Sequence, residues 1–168
     1  MANTEDLDLD DDLYDDDEDT QKDKFLTFHL AGEDYGIAIA HVTEIIGIQK
    51  ITEVPDMPDF VIGVINLRGN VIPVMDVRLR FGLAERKYDE RTCIIVVEIN
   101  GTSVGLVVDQ VNEVVDIPED QVEPAPKTGK SSASSFIAGM GKMGDDVKIL
   151  LKVDKLIFNT PDQVSEET

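Results

Sequence analysis

The sequence predicts an all-β fold made of two small barrel-like subdomains of about five strands each, and three observations carry that prediction. Between residues 25 and 158 the apolar segments are short, rich in Val and Ile and separated by turn residues, with no long amphipathic helix. Asn100-Gly101 stands between two such segments. It is the strongest short hairpin signal available, because both central positions of a type I′ turn need positive φ. The pattern also occurs twice. Residues 25–48 laid over 94–117, an offset of 69, match Gly32 with Gly101, Gly36 with Gly105, Val42 with Val111, Glu44 with Glu113 and Ile48 with Ile117. Residues 60–82 laid over 136–158, an offset of 76, match Phe60 with Phe136, Gly63 with Gly139, Val71 with Val147 and Val77 with Val153. Small antiparallel sheets close on themselves to remove their edges, hence the barrels.

Residues 1–24 hold 12 acids and 2 bases and no core-forming period, so self-repulsion predicts a disordered acidic tail. The run lacks the mid-loop glycine of an EF-hand, which argues against a calcium site. The body, residues 25–158, follows. Leu26, Phe28 and Leu30 alternate with Thr27 and His29, and Gly32-Glu33-Asp34 turns the chain toward Ile37 and Ile39, giving a hairpin with one apolar face. The β-branched segments 42–48 and 111–117 favour strands entered through a tight turn. A helix of one turn is expected at 58–62, where Pro58 occupies a position that needs no N–H. Strands are expected at 61–67 and 71–77, with Arg68 at the tip between them. The hairpin at 93–108 is apolar on both sides, since Val96 and Val107 stand where the first hairpin has Thr27 and Ala38. That extra face either packs barrel on barrel or forms an exposed groove, and the first reading leads because large exposed apolar patches are uncommon. The seven residues that lengthen the second copy fall in the Pro/Ser-rich stretch 123–135, a further strand is expected at 147–153, and residues 159–168 read as a flexible C-terminal tail.

The net charge is -20, yet the body carries 20 acids against 13 bases, only -7, with the bases scattered singly. Nucleic-acid binding is therefore not expected, because phosphate contacts need clustered Lys and Arg. One cysteine, Cys93, cannot form an internal disulfide, and no signal peptide or membrane-spanning run is read, so the expected setting is cytoplasmic, without membrane insertion. His29 and His41 form no spaced ligand motif, which leaves no metal site or catalytic constellation to expect. Gly139 to Gly144 match G-x-G-x-x-G formally, but a strand follows rather than a helix, so these glycines read as a bent strand and a turn, and no cofactor is expected. Arg68 is either a solubilising charge on a turn or a recognition residue, with Glu44 as a candidate salt-bridge partner.

The stretch from Gly63 to Arg78, with its Asn66-Leu67-Arg68-Gly69 run, resembles the signature of the CheW-type chemotaxis coupling proteins. Tyr35-Gly36-Ile37, Val42-x-Glu44-Ile45, Val54-Pro55 with Pro58, Gly105 with Val107-Val108-Asp109, and Pro124-Ala125-Pro126 keep the family's order. The resemblance covers residues 25–158 and implies two SH3-like five-stranded β-barrels, intertwined in one domain. It implies a non-enzymatic adaptor between the cytoplasmic tips of chemoreceptors and the regulatory domain of a CheA-type histidine kinase, recruited to membrane-bound arrays and monomeric when free. The family's receptor- and kinase-binding positions fall on Arg68, Glu44, Val42 and Ile45, with Gly63 and Asn66 shaping the strand before Arg68, and on Val111 and Val114 in the second copy. A regulatory fragment of a kinase-like protein would share the barrels, but the chain lacks dimerisation helices, an ATP-site motif and a phosphorylatable His domain. A scaffold serving another signalling output would share every feature.

Overall fold

The computed structural model describes residues 21–125 and 135–158. The acidic tail to residue 20, most of the Pro/Ser-rich stretch and the C-terminal tail lie outside the described residues, as do the expectations placed on them. The chain forms β1 (Lys24–Leu30), β2 (Glu33–Ala38), β3 (Val42–Gly47), β4 (Val61–Leu67), β5 (Asn70–Asp76) and a short helix α1 (Val77–Arg80). It continues through β6 (Cys93–Ile99), β7 (Thr102–Val108), β8 (Gln110–Asp116), β9 (Val122–Glu123), β10 (Ile137–Met143), β11 (Asp146–Leu151) and α2 (Val153–Phe158). Single 3₁₀ turns at Ile39–His41 and Glu119–Gln121 lead into β3 and β9.

Two sheets result, with strand orders β8-β1-β2-β11-β10-β9 and β3-β6-β7-β5-β4. In the first, here barrel A, the brief strand β9 is the bent continuation of β8 and pairs with β10, closing the sheet. In barrel B the chain after β3 does the same through Thr52, which exchanges two backbone hydrogen bonds with Val64 of β4 at 2.9 Å each. The five-stranded barrels expected from the sequence are therefore present, but each is assembled from both copies of the repeat. The hairpin β1–β2 of the first copy pairs with β8 and β11 of the second, and the hairpin β6–β7 of the second pairs with β3 and β5 of the first. The junctions correspond residue for residue. The parallel pair Gly36↔Leu150 in barrel A has its counterpart in Val74↔Gly105 in barrel B.

Three apolar clusters fill the molecule. Ile65, Ile72, Val74, Ile94, Val96 and Val107 fill barrel B, while Val115, Ile117 and Leu150 fill barrel A. The largest lies between the barrels and joins Leu26, Phe28, Leu30 and Ile37 to Ile95, Val97, Leu106 and Val108. This corrects both readings of the extra apolar face. Val96 and Val107 line the inside of their own barrel, and the face shared by the two hairpins makes the barrel–barrel contact. Thr27, buried at the equivalent place in barrel A, is satisfied by donating its hydroxyl to the Glu113 carbonyl at 2.7 Å.

Two helix assignments also change. Residues 58–62 are a turn running into β4, with the Val61 amide bonded to the Pro58 carbonyl, because Val61 and Ile62 are taken by the pairing with β5. The helices start instead where strands were expected to end. At Val77 the Asp76 carboxylate accepts from the Arg78 and Leu79 amides at 2.9 and 3.4 Å and so caps α1, and α2 begins at the equivalent Val153. Gly139 to Gly144 form bulged β10 and its turn, as read.

Candidate functional site

The site is built at one end of barrel B from three local features. Arg68-Gly69 is the two-residue loop between β4 and β5, with φ of 52° and 88°, the type I′ pattern that matches strand twist. Asn66 fastens this tip, its side-chain oxygen accepting from the Gly69 amide at 2.9 Å. Opposite lies β3, whose register against β6 shifts between Val42 and Glu44. Such a bulge re-aims the following side chain.

Arg68 reaches Glu44 and forms an ion pair and hydrogen bond through Nη2 and Oε2. The pair clasps the tip of β4–β5 to β3, above a depression of about 220 Å³ floored by Ile72, Val96 and Leu67 and edged by Thr43, Glu98 and Ser103. The Arg68 side chain remains 70 % exposed and Glu44 27 %. An exposed pair of this kind contributes only about 0–1 kcal/mol to stability, so its consequence is the direction in which the guanidinium is held. Ile45, 43 % exposed, follows Glu44 on β3, and Val71, 67 % exposed, follows the tip. Both are exposed apolar side chains within three residues of the pair in sequence, of the kind that partner proteins bury.

Gly63 is needed further back along β4. A Cβ there would lie 2.3 Å from the Thr52 carbonyl oxygen, and its φ is +150°. Only glycine lets the Thr52 segment approach β4 and close the barrel, and Gly139, whose Cβ would meet Val122 at 2.7 Å, repeats the device in barrel A.

The structure thus brings Arg68, Glu44 and Asn66 together at the tip, while Ile45 follows Glu44 on β3 and Gly63 lies five residues back along β4, against Thr52. Val42 lies half-buried against the central cluster. Val111 and Val114 belong to barrel A, where they occupy the places of Val42 and Ile45: Val111 packs on the central cluster and Val114 is 47 % exposed. Glu113 takes the place of Glu44, and Gly144 that of Arg68. The end of barrel A is closed differently, by Asp34, which accepts from Lys148 at 2.7 Å and lies 3.0 Å from His29 Nδ1. The hydrogen bond with His29, then that with Lys148, holds the Asp34 carboxyl below the usual carboxylate range.

Two charged arrangements were not foreseen. Arg78 donates through Nε and Nη2 to both oxygens of Asp109, at 2.9 and 2.8 Å, and Asp109 also receives Arg86 at 3.1 Å and the Ala31 amide at 3.1 Å. Burial alone raises the Asp109 carboxyl, and the Arg78 hydrogen bonds with the Ala31 amide outweigh it, leaving the pKa below normal. The signal was an acid and a base each standing at the end of an apolar strand, in Val107-Val108-Asp109 and Asp76-Val77-Arg78. Arg80, buried at the junction of the two helices, gave no signal, since it lies three residues beyond the expected strand and only the fold brings α2 against it. Among the described residues no group of His, Cys, Asp and Glu is placed to hold a metal ion, and no helix is long and apolar enough to cross a membrane.

Comparison with known proteins places these features. The family model for the CheW-like domain matches residues 24–159. The chain is 39% identical over 134 residues to the chemotaxis protein CheW of Klebsiella aerogenes, covering 80% of this chain and 81% of that one. It is 34% identical over 134 residues to the chemotaxis protein CheW of Helicobacter pylori, with the same coverage. The crystal structure of the scaffolding protein TtCheW from Thermoanaerobacter tengcongensis superposes with a TM-score of 0.76 at 40% identity, covering 83% of this chain and 94% of that one.

Proposed function

The chain belongs to the CheW-like domain family, and from that premise we propose that it is a non-enzymatic chemotaxis scaffold that couples the cytoplasmic tips of chemoreceptors to the regulatory domain of a CheA-type histidine kinase. The observation that carries the reading is the Arg68–Glu44 clasp. It is an exposed charged pair of little value to stability, held on a strained tip, with the exposed apolar Ile45 and Val71 next to it in sequence. A protein interface uses such a corner: a preset guanidinium for directional contact and apolar neighbours for buried area. Arg68, Glu44, Ile45 and Val42 are the proposed binding residues of barrel B, and Val111 and Val114 those of barrel A. Asn66 acts through the tip it fastens, and Gly63 through the strand before Arg68, which it lets close on Thr52.

A body of this size exposes roughly 7,000 Å², and a standard interface takes about 800 Å² from one partner. Both partners fit at once, on different barrels. The chain then biases how receptor and kinase pack, while the kinase performs the phosphoryl chemistry. The proposed setting is the cytoplasm, with the chain monomeric when free and recruited to receptor arrays. Equilibrium binding of the purified chain to an isolated kinase regulatory domain, and separately to a receptor cytoplasmic fragment, tests this. Binding to both, weakened by Arg68→Glu in a chain that stays folded by circular dichroism, is the expected result; a folded chain that binds neither refutes the assignment.

A further inference from the structure

The two halves of the molecule correspond in their strand pairing, and a charged side chain lies between two equivalent residues of them. Under the 76-residue correspondence Phe60 is the counterpart of Phe136, and Arg80 the counterpart of Leu156. The Arg80 guanidinium carbon sits 4.3 Å from the centre of the Phe60 ring and 4.4 Å from that of Phe136. Its Nε donates to the Leu156 carbonyl at 2.9 Å, and its Nη2 to the Lys155 carbonyl at 3.4 Å. One residue of α1, which continues β5 of barrel B, is therefore stacked between the two equivalent rings and caps the end of α2, which continues β11 of barrel A. Carbonyls in the last turn of a helix have no partner within it, and a cation there also meets the negative end of the helix dipole.

Apolar packing does not require this charge. Leu156, at the equivalent position, is fully buried, whereas Arg80 at 5 % exposure loses hydration, and that desolvation pushes its pKa down. What the guanidinium adds is direction. The central cluster between the barrels is held by hydrophobic burial, which has no preferred orientation. Planar N–H donors aimed at carbonyls and a cation between two ring faces fix an angle.

We propose that Arg80 is a positioning residue that sets the orientation of one barrel against the other and so couples the partner-binding face of barrel B, at Glu44, Ile45 and Arg68, to that of barrel A, at Val111 and Val114. The coupling half rests on the two-partner function proposed above; the orientation half does not.

The orientation is read from spin labels at Glu33→Cys and Thr102→Cys, exposed and equivalent positions on the two hairpins, in a Cys93→Ser chain. A single narrow distance distribution is expected with Arg80 present. Arg80→Met keeps apolar length but loses the directional contacts, and should broaden or displace the distribution while circular dichroism stays that of a folded protein. Arg80→Lys, which keeps charge without the planar fork, gives the same readout should the methionine variant not fold. A distribution unchanged in a folded variant overturns the proposal. Coupling is read as the change in affinity for the receptor fragment when the kinase regulatory domain is already bound. The parent is expected to show a factor of about fivefold or more, and Arg80→Met a factor near one with both binary affinities kept. A coupling factor equal in parent and variant, or a parent factor of one, removes the coupling half. A parent that binds neither partner refutes the functional reading instead and leaves the distance measurement to decide the orientation.

Discussion

Arg68 has φ of 52°, a conformation in which its Cβ crowds its own backbone, and replacing it with glycine removes that strain. Arg68→Gly is therefore expected to melt within about 1 kcal/mol of the parent, while affinity for the kinase regulatory domain falls by more than about 1 kcal/mol. Calorimetry and titration on the same sample check both. Glu44→Gln combined with Arg68→Gly should lose less affinity than the sum of the single changes, because either one already releases the clasp; additive losses would mean that the two act separately. Asp109 acts on stability instead. Its folded pKa lies below the ordinary carboxylate value, so its contribution is complete above about pH 4 and is lost as pH falls through the folded pKa. Asp109→Asn should cost about 2 kcal/mol near neutral pH, since it takes the carboxylate from the half-buried Arg78. It should also flatten the acid limb of a stability–pH curve, and a limb of unchanged steepness would assign acid lability to other carboxylates.

At the scale of elements, each barrel closes where one strand bends and returns, and a glycine stands under each return. Gly63→Ala forces a Cβ into the Thr52 carbonyl, whereas a Cβ at Gly69 meets nothing within 4 Å. Both positions have positive φ, +150° at Gly63 and +88° at Gly69, but only Gly63 adds a clash. Gly63→Ala is expected to destabilise by about 2 kcal/mol or more, and Gly69→Ala by about 1 kcal/mol. Equal costs in chemical denaturation would show that backbone conformation, rather than closure on Thr52, dominates. The two short helices are placed by the same correspondence, since α1 and α2 each begin directly after a strand, at Val77 and Val153.

At the scale of the molecule, the exchange of hairpins makes each barrel depend on both halves of the chain. The β1–β2 hairpin has its neighbours in β8 and β11, more than 80 residues away in sequence, as the pairings Phe25↔Val115 and Leu150↔Gly36 show. A chain ending at residue 82 holds strands of both barrels and completes neither. It should show no cooperative unfolding transition, and the same holds for residues 83–168, whereas a melt of the intact chain should give one transition with equal calorimetric and van't Hoff enthalpies. A folded half would contradict the shared core. Such non-local pairing also places refolding in the millisecond-to-second range.

Strands, hairpin tips and the internal repeat were all legible in the sequence, because they are written in local alternation, turn residues and residue spacing. The Asn66-Leu67-Arg68-Gly69 run likewise marked the candidate site, since a lone Arg between two apolar strands is visible without a fold. The sequence alone also separated the acidic tail from the body by charge. Tertiary structure decided which hairpin completes which barrel, which face of β6 and β7 meets the other barrel, that Arg80 is held inside and that Arg78 pairs with Asp109. The reason is physical. A strand's own pattern states which faces are apolar, but the partner that covers each face is chosen by the packing of segments far apart in the chain. A buried arginine likewise becomes favourable only where carbonyls, rings or a carboxylate converge on it from other elements.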